Sequence, residues 1–325
     1  MFTKQRERIG ERDAIVVSGI GKYRLDDTLE CGQAFRYELI EKTGAYTEYM
    51  TVIGEHIITI GQRECGELIF YGISDSDFED VVRPYFSLDT DYESIKESIK
   101  LATDSEWLKR AADYGRGIAI LAQDEWETLF SFIVSQNNNI PRIRKILRAV
   151  CRAYGKNLAA KNELPECPMK KHGKCPSDET CGECGICYSF PSPEDVLSEP
   201  EKLLPSKPGF RYSYLLSAAE AIKEGIVDIK KIREASDFEY TVSELKKIKG
   251  VGDKVASCVA LFGFGNLEAF PIDVWMKKAI NDYFNGHLDP KTFGKYAGIA
   301  QQYIFHYIRN IEEKQSKSPN SSINE

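Results

Sequence analysis

No run of apolar residues in this 325-residue chain approaches the roughly 18 needed to cross a bilayer; the best stretch, Val255 to Gly265, is short and punctuated by glycine. A membrane partner is therefore not expected, and the chain reads as soluble. The amino terminus, MFTKQRERIGERD, lacks the apolar core of a secretory signal. That points to a reducing compartment, cytoplasm and nucleoid or, in a eukaryote, the nucleus, where nine cysteines are expected as thiols or metal ligands and not as disulfides. There is no internal repeat. With 42% hydrophobic and 29% charged residues, the composition excludes disorder over most of the length and any fibrous class. A net charge of −7 excludes a protein coated in positive charge but leaves a local basic surface open.

What is present divides into two parts. Residues 13–74 carry β-branched or alternating runs, Ala14-Ile15-Val16-Val17, Tyr46 to Ile53 and His56 to Ile60, separated by glycines, and predict an antiparallel meander. Residues 75–93 follow with Asp75, Asp77, Glu79, Asp80, Asp89, Asp91 and Glu93 against Arg83 alone, a face that would repel a polyanion. From about residue 105 the apolar period changes to near 3.6 and strand signals almost vanish. The fold class is thus α+β: an antiparallel β-rich domain over 1–103, a helical domain over 104–312, and a polar tail over 313–325 expected to be disordered.

Within the helical part, Asn137-Asn138-Asn139-Ile140-Pro141 marks a helix start. The helix after it places Ile143, Ile146, Leu147, Val150 and Tyr154 on one side and Lys145, Arg148, Arg152 and Lys156 on the other, with no acid between 139 and 156. A solvated basic face and a phosphate-facing surface both fit. The strongest signal is Leu245 to Cys258, where an amphipathic helix ends at Gly250-Val251-Gly252 and another begins at once, a helix-hairpin-helix over about 240–264. The glycines permit the sharp turn and leave amides unshielded at a helix start, where a phosphate can bind, while Ile248 and Val251 would pin the turn to the core. Lys254 falls in the first turn of that second helix, where the macrodipole disfavours a cation. It reads either as an ordinary exposed lysine or as an amine whose pKa is lowered for nucleophilic attack. Asp273, in Phe270-Pro271-Ile272-Asp273-Val274, is placed to cap a further helix; one helix and a returning loop separate it from Lys254, so both side chains could reach one cleft.

These residues, with Cys31-Gly32-Gln33-Ala34-Phe35-Arg36, Ser135 to Ile143 and Tyr296 to Gln301, resemble the 8-oxoguanine DNA glycosylase/AP lyase family of the helix-hairpin-helix glycosylases, from about residue 25 to 310. The resemblance implies a bifunctional enzyme that works on double-stranded DNA containing 8-oxoguanine, as a monomer and with no cofactor for catalysis. It makes Lys254 the amine that attacks C1′ and Asp273 the carboxylate that stabilises developing positive charge. Gly32 would offer its carbonyl to the N7–H that distinguishes 8-oxoguanine from guanine. Gln301 would read the Watson–Crick edge, with Phe305 and Cys258 stacking on either side and Pro271 shaping the pocket. Asn137 would fill the space left by the flipped nucleotide, Arg142 and Arg211 would bond the widowed cytosine, and Phe210 would wedge where the family usually has tyrosine. Gly250 and Gly252 would meet the DNA backbone.

Two features depart from the family pattern. Trp275 stands where a histidine is usual, which puts a polar contact there in doubt. An insert over about 160–193 holds Cys167, Cys175, Cys181, Cys184 and Cys187, with His172 in the first gap. Four of these thiols, Cys181, Cys184 and Cys187 with Cys167 or Cys175, could hold a structural zinc; an iron–sulfur cluster and unligated thiols are the other readings. Two further functions remain to be weighed: a non-catalytic DNA-binding module, for which neither Lys254 nor Asp273 is needed, and a monofunctional glycosylase using water, which would lack the lysine.

Overall fold

In a computed structural model that describes residues 2–161 and 185–316, six strands form one antiparallel sheet. They are β1 (Thr3–Ile9), β2 (Arg12–Ser18), β3 (Tyr37–Lys42), β4 (Tyr46–Ile53), β5 (His56–Arg63) and β6 (Leu68–Tyr71), ordered β1-β2-β6-β5-β4-β3. The expected meander is β3 to β6, and β6 returns to pair with β2, Val17 opposite Leu68 and Ala14 opposite Tyr71. Ala14 to Val17 is apolar without alternation because both faces of the sheet are covered. Ile15 and Val17 enter the large inner cluster, while Ala14 and Val16 pack with Ile69 and Tyr71 on the other face. β1 lies ahead of the expected β region. Its sequence, TKQRERI, is charged and mostly exposed, as suits an edge strand held by backbone pairing instead of by an apolar face.

Helical structure also begins earlier than the period change near 105. After α1 (Leu25–Glu30) come helical turns over 75–85 and then α2 (Tyr92–Leu101), capped by Asp91. The body of helices continues with α3 (Glu106–Tyr114), α4 (Glu125–Ser135), α5 (Ile140–Tyr154), α6 (Tyr212–Lys223), α7 (Phe238–Leu245), α8 (Asp253–Phe262), α9 (Val274–Tyr283) and α10 (Ala297–Ser316). α4 is apolar on almost every side because it runs through the middle of the helical core, against α8 and α6. α10 extends past the expected boundary at 312, and residues 317–325 lie outside the described ones.

The cysteines Cys167, Cys175, Cys181 and Cys184, with His172, also lie outside the described residues. Cys187 is buried among Ile40, Met50, Ala159 and Ile186 against the sheet. The basic side of α5 is not a uniform solvent face. Arg144 and Arg148 pair with Glu38 of β3, and Lys156 reaches Glu55 at 2.8 Å, so much of that charge joins helix to sheet. Lys145 and Arg152 stay exposed.

Candidate active site

Two helix starts build the centre of the site. α7 ends at Leu245, and the chain turns through Ile248 to Gly252 before α8 begins at Asp253. Ile248 and Val251 are buried and pin the turn, as expected. Gly250 sits at φ +87°, and a Cβ there would lie 2.3 Å from Cγ of Tyr214, so the tight approach of α6 requires glycine. Gly252 is the N-cap of α8 and supplies no side chain to the first-turn amides, which are left for another acceptor. Two residues on, half-buried Lys254 points its Nζ over the ring of Phe132, 5.0 Å from the centroid. Among the described residues no ion pair engages it. Asp273 caps α9, its Oδ1 accepting from the Met276 amide at 2.9 Å. The capping role and the place in the cleft coexist, because a single carboxylate oxygen satisfies the helix.

Lys254 and Asp273 line the same cleft, together with Gly32, Cys258, Pro271, Gln301 and Phe305, all of them expected there. Four residues not singled out beforehand complete it: Cys31, Phe132, Phe262 and Gln302. Phe132 and Phe262 stack with centroids 5.5 Å apart and form an aromatic floor. Gln301 is 3% exposed, its Oε1 accepting from Gln302 Nε2 at 2.8 Å. Burial pushes the Cys31 thiol up to about 12. It also raises Cys258, where the charge of Lys254 works in the opposite direction.

Gly32 adopts φ +90° at the lip of the cleft, against Phe305. The loop that carries it is fixed by fully buried Gln33, whose Nε2 donates to the carbonyls of Thr28 and Ala119, both at 2.8 Å, and whose Oε1 accepts from the Leu121 amide at 2.9 Å. One glutamine therefore ties the loop ahead of β3 to the segment that leads into α4. Sequence reasoning had no local signal for this, since Ala119 and Leu121 lie 86 and 88 residues further along the chain.

A wider groove opens from the cleft and shares Gly32, Phe132, Lys254, Asp273 and Phe305 with it. It is lined by Ser135 to Ile143 and by Val274, half-buried Trp275 and Lys277. The charged residues along it are Arg142, Lys254, Lys277 and Arg309 against Asp273 alone. A chain of net charge −7 thus gathers cations in one place. Asn137 is exposed there at φ +50°, and it is Asn139, not Asn137, that caps α5.

The strained turn at Asn137 is braced from beneath. Arg211 is 2% exposed, with Nε donating to the Gln136 carbonyl at 2.8 Å, Nη2 to the Asn137 carbonyl at 2.9 Å and Nη1 to the Pro208 carbonyl at 3.1 Å. Burial and the nearby Arg142 hold its pKa below the usual guanidinium value. Phe210 is 53% exposed under the Arg211 guanidinium and edge-on to Tyr214, so it is not a core residue. Gln136 Nε2 in turn reaches the Gly250 carbonyl at 3.1 Å, linking the Asn137 turn to the hairpin. Phe210, Arg211, Gly250 and Gly252 do not line cleft or groove; they stand beside and beneath it.

Known proteins resemble this arrangement over nearly its whole length. The sequence pattern of the 8-oxoguanine DNA glycosylase N-terminal domain matches residues 16–129. An N-glycosylase/DNA lyase of Saccharomyces cerevisiae is 28% identical over 280 residues, covering 80% of this chain and 68% of that protein. The structure of MBOgg1 in complex with a low-affinity DNA ligand superposes with a TM-score of 0.77 at 33% identity, covering 95% of this chain and 99% of that one. The 8-oxoguanine glycosylase/lyase of Clostridium acetobutylicum, solved with double-stranded DNA containing cytosine opposite 8-oxoguanine, gives a TM-score of 0.77 at 29% identity over 96% and 98%.

Proposed function

This chain belongs to the 8-oxoguanine DNA glycosylase family, and we propose that its cleft performs both reactions of a bifunctional glycosylase/AP lyase with the single amine of Lys254. The protein is a DNA N-glycosylase and AP lyase, its partner is double-stranded DNA containing 8-oxoguanine, and no cofactor is needed for the chemistry. The observation that carries the assignment of residues is the convergence of Lys254 and Asp273, from the first turn of one helix and the N-cap of another, on a cleft walled by Gly32, Phe305 and Gln301.

A base stacked in a duplex is out of reach of Lys254, so the nucleotide must leave the helix at a cost of about a few kcal/mol. Asn137, held in its left-handed turn by Arg211, is the residue we assign to the vacated space. With the base in the cleft, Gln301 bonds its Watson–Crick edge, and the Gly32 carbonyl accepts the N7–H of 8-oxoguanine; guanine presents a lone pair at N7 and is repelled there. Nζ of Lys254, unprotonated, forms a bond to C1′ as the C1′–N9 bond breaks and the electron pair departs with the base. Asp273 stabilises the oxocarbenium-like charge on the sugar and takes part in moving the lysine proton. The nitrogen then gives up a proton, the C1′–O4′ bond breaks with O4′ taking a proton, and the resulting iminium acidifies C2′–H; as that proton is lost its electron pair forms the C2′–C3′ double bond and the C3′–O bond breaks to release the 3′ phosphate, and addition of water to the imine carbon frees the lysine. Because Nζ rests over an aromatic face, no carboxylate has to be displaced before it attacks.

The experiment is borohydride trapping on a duplex with one 8-oxoguanine opposite cytosine. The wild-type protein is expected to form a covalent adduct and Lys254→Gln none, while Lys254→Gln still binds the duplex. Base release without an adduct would assign the chain to water-using chemistry, and binding without release would leave it a DNA-binding module. Structural zinc in the cysteine-rich insert rests on thiol spacing, since only Cys187 of the proposed ligands is a described residue.

A further inference from the structure

Helix α10 carries Gln301, Phe305 and Arg309 at intervals of four, hence in one stripe along one face. The stripe runs from inside to outside: Gln301 lines the cleft, Phe305 lines cleft and groove, and Arg309 lines the groove. Eight residues of helix rise about 12 Å, long enough to follow a flipped nucleotide from the outer edge of its base to its phosphate. Arg309 Nη1 stands 3.8 Å from where a Cβ on Gly32 would lie and donates to the Glu30 carbonyl at 3.5 Å, so the guanidinium sits at the lip, beside the carbonyl assigned to reading the base.

We infer that Arg309 binds a backbone phosphate of the lesion strand next to the flipped nucleotide and so holds the base in register with Gly32 and Gln301. This rests on the function proposed above. The chemistry favours phosphate over base: the guanidinium is at the mouth, where the sugar and its phosphates must stay when the base is inside. Its planar fork of donors matches two phosphate oxygens at once. Arg142 and Lys277 line the same groove from α5 and α9, whereas Arg309 shares α10 with Phe305 and stands beside Gly32.

The test compares Arg309→Gln and Arg309→Met, which keeps part of the aliphatic stem, with their parent. All are made in the Lys254→Gln background so that the DNA is not consumed. Affinity for an 8-oxoguanine:cytosine duplex is measured against salt, and again on duplexes in which each phosphate flanking the lesion is replaced singly by an uncharged methylphosphonate. Loss of one phosphate contact should reduce the slope of log affinity against log salt by about 0.9, so that between roughly 50 and 200 mM salt the variants lose about 3.5-fold less affinity than the parent. One methylphosphonate position should weaken the parent and leave both variants unaffected. If both variants keep the parental salt slope and respond like the parent to every neutralised phosphate, the inference is overturned. A role confined to bracing Glu30 would lower the melting temperature without moving either readout, and that outcome overturns it equally. Failure of the functional reading is a separate result, seen as a parent that does not prefer the 8-oxoguanine duplex over its guanine counterpart.

Discussion

Substituting Gly32 by alanine separates base reading from sugar chemistry. The space is available: the new Cβ would lie 3.4 Å from Phe305 Cε1 and 3.8 Å from Arg309 Nη1, ordinary contact distances. The backbone is the obstacle, because φ +90° costs a residue with a Cβ about 1–2 kcal/mol. The neighbours cannot share that strain, since Gln33 is bonded to Thr28, Ala119 and Leu121 on the far side. Relief must come from rotation at residue 32 itself, which turns its carbonyl away from the cleft. Losing one hydrogen bond in a desolvated site, with the base N7–H left unpaired, costs about 1–3 kcal/mol, or roughly 5- to 150-fold in the rate of 8-oxoguanine excision. Cleavage at a preformed abasic site involves no base and should change by less than about twofold, well under 1 kcal/mol of barrier. Single-turnover kinetics on the two duplexes give both numbers, and a thermal melt checks the fold. Equal losses on the two substrates, or unchanged discrimination between 8-oxoguanine and guanine, would refute the role given to the Gly32 carbonyl.

The hairpin glycines should respond very differently to the same change. Gly250→Ala forces a Cβ to within 2.3 Å of the Tyr214 ring at a left-handed φ and should destabilise by about 3 kcal/mol or more. Gly252→Ala enters open space at an extended φ and should cost under about 1 kcal/mol; chemical denaturation of the two variants decides, and similar losses would contradict the packing described. Among the described cysteines, a thiol-alkylating reagent at mildly alkaline pH should label exposed Cys65 and spare buried Cys31 and Cys258. With its pKa pushed up to about 12, Cys31 stays protonated and inert below that range, gaining reactivity only as pH rises toward it. Mass spectrometry of the labelled peptides reads this directly, and labelling of Cys31 at the rate of Cys65 would show the cleft to be open.

The parts of this structure legible in the sequence are those whose cause is local. Period-2 runs around Tyr46 to Ile60 formed adjacent strands, and the glycine turn before Lys254 formed a hairpin, because alternation and turn chemistry act within a few residues. β1 escaped notice since its polar side chains carry no pattern; its partner strand supplies the ladder. α2 was hidden for a similar reason, its charged residues masking Ile95 and Ile99, which do face the core. In the site, Lys254 and Asp273 were marked by their places at helix starts. Gln33, Phe132 and Arg309 were not, because each acquires its role from a residue distant in the chain.

The charge runs show how far one-dimensional reading can mislead about electrostatics. The acidic stretch from Asp75 suggested repulsion of DNA, yet Lys4 and Arg6 of β1 bond Asp75, Lys4 and Arg83 bond Glu79, and Arg83 bonds Asp89. The basic side of α5 suggested attraction, yet Arg144, Arg148 and Lys156 are engaged by Glu38 and Glu55. Part of each run is answered by opposite charge, from β1 and from Arg83 within the acidic stretch and from Glu38 and Glu55 for the basic one, and the pairs made across elements knit the edge strand and the sheet to their neighbours. The groove instead gathers four basic residues from separate elements, Arg142, Lys254, Lys277 and Arg309, around one carboxylate, Asp273. A focused patch of this kind draws phosphates within about a Debye length, roughly 10 Å at moderate salt, while the rest of a chain of net charge −7 discourages unspecific adhesion. On the function proposed above, attraction and chemistry coincide at the cleft, because Arg142, Lys277 and Arg309 line the groove into which the amine of Lys254 opens.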